Sequence, residues 1–365
     1  MNIVYVLSDV YKAVFFEHTA LLMRARGVEL SWILINSEDS ELAHFLEAHH
    51  FQVSYLKASS PLRSFRAILE CCKMLKDWKI DTIHCHLSLA SWIGLWAGLF
   101  AGVKKRIFTR HSGKLLKWNY KEAIIDQIQN RLATDIVAIS KNIEDLLFSQ
   151  GAALKKIHLI HHGFDLERMK NHDVNEVARI KNTYNPDEKS PIVGVVARWL
   201  ELKGIQYIIP AFEKLLEDYP NAKLCLFNAS EQAEYAHVLL PMLNDLPKNS
   251  FEYIGFESNV YDLYSLFDVY VHTPVDPYCE AFGQTYVEAL AAGVPSVFTL
   301  SGVAREFAAD EPLAQVVPFR DSEAIYEAMK KQLNLRDIEK KHSSFFRVFD
   351  LAEYVNKLLA IYTSF

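Results

Sequence analysis

Residues 269–300 read VYVHTPVDPYCEAFGQTYVEALAAGVPSVFTL. The segment opens with a short apolar run, passes through a proline-containing loop into a helical stretch near 283–292, and closes with a second apolar run. A strand, a helix and a further strand in this order are typical of the unit in which a crossover helix joins two parallel strands. The segment therefore predicts a parallel α/β sheet around it.

The same alternation extends through the rest of the chain. Strands are predicted before residue 175 at NIVYVLS, ELSWILIN, FQVSYLK, TIHCH, RIFTRH, DIVAIS and IHLIHHG, and after residue 190 at PIVGVVAR, AKLCLFN, FEYIGF, VYVHTP, PSVFTL and AQVVPF. A chain of 365 residues exceeds what one core usually organises, and ~150 residues per domain gives about two domains. We expect two doubly wound parallel-sheet domains, 1–175 and 190–345, joined by the polar segment 177–191. The amphipathic tail 346–365 is expected to pack back on the first domain.

Composition excludes several classes of protein. Half of the residues are hydrophobic and 23% are charged, which is typical of a folded globular chain. The formal net charge of −6 argues against nucleic-acid binding, although residues 1–175 hold 22 Lys+Arg against 18 Asp+Glu. The five cysteines show no C-x-x-C spacing, and the first residues lack the positive region of a signal peptide. We expect a cytoplasmic protein.

Two adjoining segments bear on membrane contact. Residues 87–103, LSLASWIGLWAGLFAGV, carry no charge over 17 positions, whereas a spanning helix needs about 20 apolar residues, so we predict a buried helix. Residues 104–121, KKRIFTRHSGKLLKWNYK, carry seven Lys/Arg. Two interpretations stay open for this second segment: an ordinary basic loop, or a peripheral contact with the inner face of a membrane or an anionic lipid-linked acceptor.

Two glutamates of the opening segment stand eight positions apart, with a Phe-Gly pair after the first. Glu280 is predicted in the loop that follows a strand, and Glu288 lies within the next helix. Backbone amides at the helix start, near Gly283, Gln284 and Thr285, suit a phosphate together with the helix dipole, and glycine lets the phosphate approach the backbone. Glu288 would then accept hydrogen bonds from a ribose, and the two carboxylates would bracket a sugar nucleotide.

The stretch EAFGQTYVEALAAGVP resembles the signature of the retaining glycosyltransferases of family 4, the glycosyl transferases of group 1. That signature holds a glutamate, a Phe-Gly pair, a second glutamate eight residues on, a small apolar stretch and a following Gly and Pro. The resemblance implies the α/β GT-B fold, in which two Rossmann-like domains face a cleft. It also implies that Glu280 binds hydroxyls of the donor sugar and stabilises positive charge, and that Phe282 and Gly283 belong to the donor site.

The stretch GVVARWLELKGIQYIIPAF resembles the family's strand, arginine, short loop and Lys-Gly before a helix. The resemblance implies that Arg198 and Lys203 neutralise the donor diphosphate. No Asp-x-Asp triplet occurs in the chain, whereas metal-dependent transferases of the other major fold use one. We therefore expect cationic side chains and a helix start, and neither a metal ion nor another cofactor, to hold the diphosphate.

The first half contains further similar segments, DTIHCH, RIFTRHSG, DIVAISKNIEDLL and IHLIHHGFDLERM. The resemblance places His111 near the transferred sugar and the acceptor oxygen. His84 and His86 alternate along one strand and share a face, which would suit a metal pair, but no third ligand follows at a suitable spacing. We predict that these two histidines line the core or the cleft.

Two glycine-rich segments of the family are missing. The stretch SDVYKAVFFEH follows the first predicted strand where the family commonly has a Gly-Gly loop, and no glycine precedes Gly27. AKLCLFNAS ends in Phe-Asn-Ala in place of the usual Gly-x-Gly. We expect altered substrate contacts at the first segment and a differently shaped nucleotide pocket at the second.

The resemblance implies a retaining, metal-independent enzyme that transfers a hexose-type sugar from a nucleotide-diphosphate sugar, preferably a UDP-sugar, to a hydroxyl acceptor. A polysaccharide, lipopolysaccharide or glycolipid intermediate would fit as acceptor. Closure of the two lobes would bring His111 toward Glu280. Two alternatives stay open: a GT-B sugar-nucleotide 2-epimerase, and a non-catalytic GT-B partner subunit.

Overall fold

The computed structural model describes residues 1–113, 120–335 and 344–364, and divides the chain into two compact units. The first unit comprises Met1–Phe164 and Asp350–Phe365, and the second comprises Asp165–Phe349. The predicted linker 177–191 overlaps helix Val174–Tyr184, which belongs to the second unit and buries Ile180. The division therefore lies earlier in the chain than the linker.

The elements of the described residues alternate as the sequence predicts. The strands are β1 Ile3–Ser8, β2 Leu30–Ile35, β3 Gln52–Leu56, β4 Thr82–His86, β5 Lys105–Arg110, β6 Asp135–Ala138, β7 Ile157–Leu159, β8 Ile192–Val196, β9 Lys223–Phe227, β10 Phe251–Ile254, β11 Val269–His272, β12 Ser296–Phe298 and β13 Ala314–Val316. The helices are α1 Val14–Ala25, α2 Glu41–Ala48, α3 Pro61–Asp77, α4 Ser88–Ala101, α5 Tyr120–Leu132, α6 Lys141–Ser149, α7 Leu166–Lys170, α8 Val174–Tyr184, α9 Ile205–Asp218, α10 Ala236–Asn244, α11 Val260–Leu263, α12 Gln284–Ala291, α13 Ala304–Phe307, α14 Ser322–Leu333 and α15 Leu351–Thr363. Short 3-10 helices cover Leu154–Lys156, Glu201–Lys203, Tyr264–Leu266 and Ser344–Phe349.

Each unit is built on one parallel sheet. In the described part of the first unit, seven strands lie in the order β3-β2-β1-β4-β5-β6-β7, and six strands of the second lie in the order β10-β9-β8-β11-β12-β13. The order reverses beside β1 and beside β8, so each sheet is doubly wound. All thirteen predicted strand segments overlap one of these strands, and the predicted α/β architecture with two Rossmann-like domains is confirmed.

Helix α15 packs on the first unit although it lies at the far end of the sequence. Its Tyr362 hydroxyl lies 2.8 Å from the Tyr5 hydroxyl of β1 and 2.6 Å from Nδ1 of His84 on β4. Gly163 permits this packing, because a Cβ there would lie 2.7 Å from the Cα of Leu351. The glycine of the HHGFD segment thus allows close approach of the α15 backbone.

Non-glycine residues adopt left-handed conformations where the family commonly has glycine-rich segments. Asp9, directly after β1, has φ 54°, and Asn228, directly after β9, has φ 61°. Asp and Asn tolerate this region better than most residues, because their short polar side chains can hydrogen-bond nearby groups. The Asp9 carboxylate, for example, accepts from Nδ2 of Asn36 at 3.0 Å. Both turns keep glycine-like backbone geometry and add a side chain.

The uncharged segment 87–103 forms helix α4, as predicted, but the helix is only partly buried, because Leu99 and Phe100 are exposed. One side of the helix packs on the sheet through small residues: a Cβ on Gly94 would lie 2.4 Å from Sγ of Cys85. Within the described ranges, we find no helix whose length and apolarity would allow it to cross a bilayer. Of the basic segment 104–121, residues 114–119 lie outside the described residues.

Candidate functional site

The carboxylate of Glu280 is the centre of a buried polar cluster in the second unit. Its Oε1 accepts from Nζ of Lys203 at 2.5 Å and from Nε2–H of His272 at 2.8 Å, while its backbone N–H donates to Oγ of Ser301 at 3.1 Å. Lys203 follows β8, His272 ends β11 and Ser301 follows β12. These are the carboxyl ends of three neighbouring strands, where open parallel sheets bind ligands.

Gly204 determines how Lys203 reaches the cluster. It has φ +75°, ends the 3-10 turn Glu201–Lys203 and stands before α9. A Cβ on Gly204 would lie 1.9 Å from the carbonyl oxygen of Thr273, so only glycine allows the two loops to come this close. The Lys-Gly pair of the sequence therefore has a geometric reason: the glycine lets the loop approach, and the lysine points at Glu280.

The partners of Glu280 hold it ionised. Burial alone raises the pKa of this carboxyl, but the hydrogen bond from His272 and the charge of Lys203 outweigh burial and bring the pKa to about 2. Burial lowers the pKa of His272, so the ring is neutral near pH 7 and donates from Nε2. The site thus presents a permanent negative charge paired with a lysine ammonium group.

The start of α12 has the backbone geometry predicted for a phosphate site. Gly283 has φ +86° and precedes Gln284, and a Cβ on it would lie 2.4 Å from the ring of Tyr286. Gly302, with φ +57°, packs against the same loop, where a Cβ would lie 2.4 Å from the carbonyl oxygen of Phe282. Gln284 is exposed and Thr285 is half-buried. The amide groups of this turn and the positive end of the helix dipole can therefore receive an anion.

Glu288 lies on the buried side of α12. Its Oε2 accepts from the hydroxyl of Tyr264 at 2.7 Å, and burial raises the pKa of the carboxyl to about 7. Glu280 and Glu288 therefore have opposite pKa shifts: one is held ionised by cationic and N–H partners, and the other is close to half-protonated near neutral pH. Strongly shifted carboxyls in one locality are characteristic of ligand-binding sites.

Two further predicted residues have contrasting positions. Arg198 is exposed two residues after β8, and its guanidinium forms no hydrogen bond or ion pair with any described residue. Phe282 is buried, and its ring lies 6.0 Å from the ring of Phe349. Arg198 is therefore available to a ligand, whereas the side chain of Phe282 supports the loop by packing.

In the first unit, His111 follows β5 and joins a group of histidines. Its Nε2 lies 3.1 Å from Nδ1 of His86, and its ring stacks on that of His162 with centroids 5.3 Å apart. Burial lowers the pKa of His111 to about 4. The ring is therefore neutral at physiological pH and can donate or accept a hydrogen bond.

His84 and His86 share a face, with ring centroids 4.3 Å apart. Both nitrogens of His84 already have partners, the hydroxyls of Tyr362 at 2.6 Å and Thr109 at 2.8 Å. The described parts of the chain contain no group of three or more His, Cys, Asp or Glu side chains arranged to hold a metal ion. His84 acts as a core hydrogen-bonding residue.

A cavity of about 650 Å³ opens beyond the carboxyl ends of β1, β2 and β3 in the first unit. Its lining includes Asp9 and Tyr11 from the segment that replaces the family's Gly-Gly loop, Asn36 and Lys57 from the loops after β2 and β3, and Arg63 from the first turn of α3. In this chain, side chains therefore line the space that the backbone amides of a Gly-Gly loop would face.

Comparison with known proteins gives matches to two glycosyltransferase family models. Residues 176–345 match the family described as Glycosyl transferases group 1, and residues 13–168 match Glycosyltransferase Family 4. The two matches lie in the two halves of the chain, and together they span most of it. The two matches cover the segments that carry Glu280, Lys203 and His111.

Among curated relatives, the chain is similar to mannosylfructose-phosphate synthase of Agrobacterium fabrum, with 27% identity over 60% of this chain and 48% of that protein. It is also similar to the capsular polysaccharide biosynthesis glycosyltransferase CapH of Staphylococcus aureus, with 23% identity over 65% of this chain and 64% of that protein. The chain thus spans about half to two thirds of these relatives. Among solved structures, Anabaena Alr3699/HepE in complex with UDP and glucose aligns over 100% of both chains with a TM-score of 0.81 and 18% identity, which supports the GT-B fold.

Three members of the site are not among the residues predicted from the sequence: His272, Ser301 and Tyr264. His272 offered a signal, since it is an ionisable residue at the carboxyl end of a predicted strand and eight positions before Glu280. Ser301 and Tyr264 offered none, because each meets its glutamate through tertiary contacts over more than twenty residues.

Proposed function

We propose that this protein is a retaining glycosyltransferase that moves a hexose-type sugar from a UDP-sugar to a hydroxyl of a polysaccharide, lipopolysaccharide or glycolipid intermediate. The observation that carries the proposal is the Lys203–Glu280–His272 cluster beside the start of α12. It combines a fixed carboxylate, a fixed cation and free helix amides within one loop system, which are the groups that a sugar diphosphate needs.

Each group has a role in this proposal. Lys203, the exposed Arg198 and the amides of Gly283, Gln284 and Thr285 bind the diphosphate and stabilise the charge that develops on it as the sugar leaves. The Glu280 carboxylate hydrogen-bonds donor-sugar hydroxyls and stabilises positive charge on the sugar ring. Glu288 accepts hydrogen bonds from the ribose once it is ionised.

The chemistry conserves the configuration at the sugar carbon. The bond from the anomeric carbon to the diphosphate oxygen breaks, the acceptor oxygen forms a bond on the same face, and the acceptor proton passes to the leaving diphosphate. His111 in the first unit binds near the acceptor oxygen, and the polar cavity at Asp9 and Arg63 receives the remainder of the acceptor. The diphosphate is held by cationic side chains and amides, so the proposed reaction uses no metal cofactor.

The proposed location is the cytoplasm, at the inner face of a membrane. All five cysteines fall within the described residues and are free thiols, which suits a reducing compartment. The similarity to CapH, which is described as a capsular polysaccharide biosynthesis glycosyltransferase, supports a glycan acceptor.

A thermal-shift screen tests the donor assignment. The purified protein is heated with UDP, GDP, ADP and the corresponding sugar nucleotides, with and without a chelator. A ligand at ~100 times its Kd stabilises the folded state by about 2.7 kcal/mol. Selective stabilisation by UDP compounds that persists with chelator supports the proposal. Absence of any shift contradicts it and favours a non-catalytic partner subunit.

Product analysis separates transfer from epimerisation. The UDP-sugar that stabilises the protein is incubated alone and with glycan acceptors, and the products are followed by NMR. A new glycosidic bond that keeps the anomeric configuration of the donor supports the retaining transferase. Conversion of the donor sugar at C2 without acceptor instead identifies an epimerase.

A further inference from the structure

Helices α3 and α4 of the first unit expose a row of large apolar side chains. Leu62, Phe65 and Leu69 of α3 are 79%, 57% and 52% exposed, and Leu99 and Phe100 of α4 are 42% and 53% exposed. The three residues of α3 are spaced i, i+3 and i+7, so they form one stripe on the side opposite the buried Ala67, Cys71 and Leu75. Helix α3 packs along α4. We call these five residues the apolar face.

Aromatic rings extend this face along α4. Trp96 is half-buried and stacks on Phe100 with centroids 5.6 Å apart, and Trp92 lies 6.1 Å from Trp96. The other side of α4 packs against the sheet through Gly94 and Gly98. The uncharged segment 87–103 is therefore half core and half surface. Large apolar side chains exposed together on two packed helices are typical of an interaction site.

Basic residues surround the apolar face. Residues 61–79 contain five Lys and Arg against two acids, Glu70 and Asp77, and α4 contains no charged residue. Arg66, Lys73 and Lys76 are exposed on α3, and Lys104 is exposed directly after α4. Glu70 is already paired with Arg66 at 2.8 Å. The field around the face is therefore positive.

We propose that the apolar face binds the surface of an anionic lipid bilayer. Leu, Phe and Trp side chains enter the boundary between headgroups and acyl chains, and the long basic side chains reach the anionic headgroups beside them. Charge argues for this occupant over a second copy of the chain, because two copies meeting through the same face would bring like charges together. Helix α4 leads directly into the segment 104–121, for which an ordinary basic loop and a membrane contact are the two interpretations of the sequence.

Vesicle flotation tests the proposal without any sugar nucleotide, so its outcome is independent of the proposed enzymatic activity. The intact protein is floated with phosphatidylcholine vesicles that contain or lack phosphatidylglycerol, at low and high salt. We expect binding that needs phosphatidylglycerol and weakens with salt. The triple variant Leu62→Ser, Phe65→Ser, Leu69→Ser should lower the partition coefficient by at least about tenfold, because each side chain loses its burial in the interface.

A matched control changes exposed apolar residues elsewhere: Phe148→Ser, Leu154→Ser and Phe256→Ser, which are 58%, 61% and 69% exposed. This variant should float like the wild type. The double variant Lys73→Gln, Lys76→Gln should bind vesicles more weakly and with a smaller dependence on salt. The control double variant Lys155→Gln, Lys248→Gln should bind like the wild type. Circular dichroism checks that every variant is folded.

Three results would overturn the proposal: no flotation of the wild type, equal flotation of the apolar-face and control variants, or equal binding to vesicles with and without phosphatidylglycerol. Size-exclusion chromatography adds a fourth. The wild type could be an oligomer that the Leu62, Phe65 and Leu69 changes convert to a monomer. If so, and if vesicles bind neither the wild type nor the triple variant, the apolar face is a contact between protein chains.

Discussion

Glu280 shows how one residue obtains its properties from its neighbours. A buried carboxyl would normally resist ionisation, yet Lys203 and His272 both donate to its Oε1 and hold the pKa at about 2. The carboxyl is therefore ionised at neutral pH. That state suits a group that stabilises charge and does not exchange protons.

Replacing Glu280 with glutamine should lower turnover by at least about a hundredfold, because the amide keeps the shape but not the charge that faces the sugar. The fold should remain, as judged by circular dichroism. Glu217→Gln, at an exposed glutamate of the same unit, is the matched control and should leave turnover unchanged. Near-normal turnover of the Glu280 variant would show that the carboxylate is not part of the chemistry.

His272 should act as a positioning residue for Glu280. The Glu280 carboxyl has a lower pKa in the folded protein than the ordinary glutamate value of 4.5, so its ionisation stabilises the fold above about pH 4.5, and this contribution is lost as the pH falls toward 2. His272→Ala removes a hydrogen bond to the ionised form and should raise that pKa. Urea unfolding at several pH values between about 6 and 3 should then show a weaker pH dependence than in the wild type. His272→Gln retains an N–H donor and should restore part of the pH dependence. Identical curves of stability against pH for all three proteins would rule out the positioning role.

Glu288 should make donor binding depend on pH. Its pKa of about 7 means that the carboxyl loses its proton as the pH rises through neutrality, and only the ionised form accepts hydrogen bonds from both ribose hydroxyls. Affinity for a UDP-sugar, whose diphosphate does not titrate in this range, should therefore rise between about pH 6 and pH 8. Titration calorimetry with wild type, Glu288→Gln and the control Glu217→Gln checks this expectation. An equally pH-dependent affinity in the Glu288 variant would assign the effect to another group.

At the scale of elements, the site depends on turns that only glycine can make. Gly204 and Gly283 both have positive φ and both face atoms that leave no room for a Cβ. They stand before α9 and α12, the helices that follow β8 and the loop after β11. Gly204 thus lets the loop after β8 contact the loop after β11, and Gly283 lets the ring of Tyr286 pack against the start of its own helix.

Gly204→Ala should destabilise the second unit and weaken sugar-nucleotide binding together, because its Cβ would meet the Thr273 carbonyl and displace Lys203. We expect a loss of more than ~2 kcal/mol in the free energy of unfolding. Gly27→Ala is the matched control: Gly27 has φ +78° with nothing within 4 Å of its Cβ position, so only the strain of about 1–2 kcal/mol remains and binding is unaffected. Denaturant unfolding and calorimetry measure both quantities. Equal losses in the two variants would show that the close contact with Thr273 is unimportant.

At the scale of the whole molecule, the chain order and the spatial units differ. The second unit, Asp165–Phe349, is encoded between the two parts of the first, and α15 completes the first unit with five buried side chains. These are Tyr354, Val355, Leu358, Ile361 and Tyr362.

A chain that ends at Phe349 should therefore lose the first unit and keep the second. At 1.5–3 kcal/mol for each buried side chain, α15 contributes about 10 kcal/mol, which is comparable to the whole stability of a domain. Limited proteolysis should degrade residues 1–164 of the truncated chain and spare 165–349, whereas both units of the full-length chain should be protected. Protection of both units in the truncated chain would contradict this assignment.

The sequence by itself determined the alternation of strands and helices, and hence two parallel sheets, because apolar periodicity and turn residues act within about a dozen positions. It also marked Glu280, Gly283 and Glu288, which lie in one strand–loop–helix segment, and it marked Lys203 through the resemblance of another segment to the family's Lys-Gly pair. Only the tertiary structure decided that His272 and Ser301 hold Glu280, that Tyr264 meets Glu288 and that the tail packs beside β1 and β4. Those contacts join side chains brought together by the winding of the sheet, and their energies depend on burial, which no local pattern specifies. The exposed side of α4 was likewise decided only by the tertiary structure. Composition predicted a buried helix, whereas packing left half of the helix at the surface.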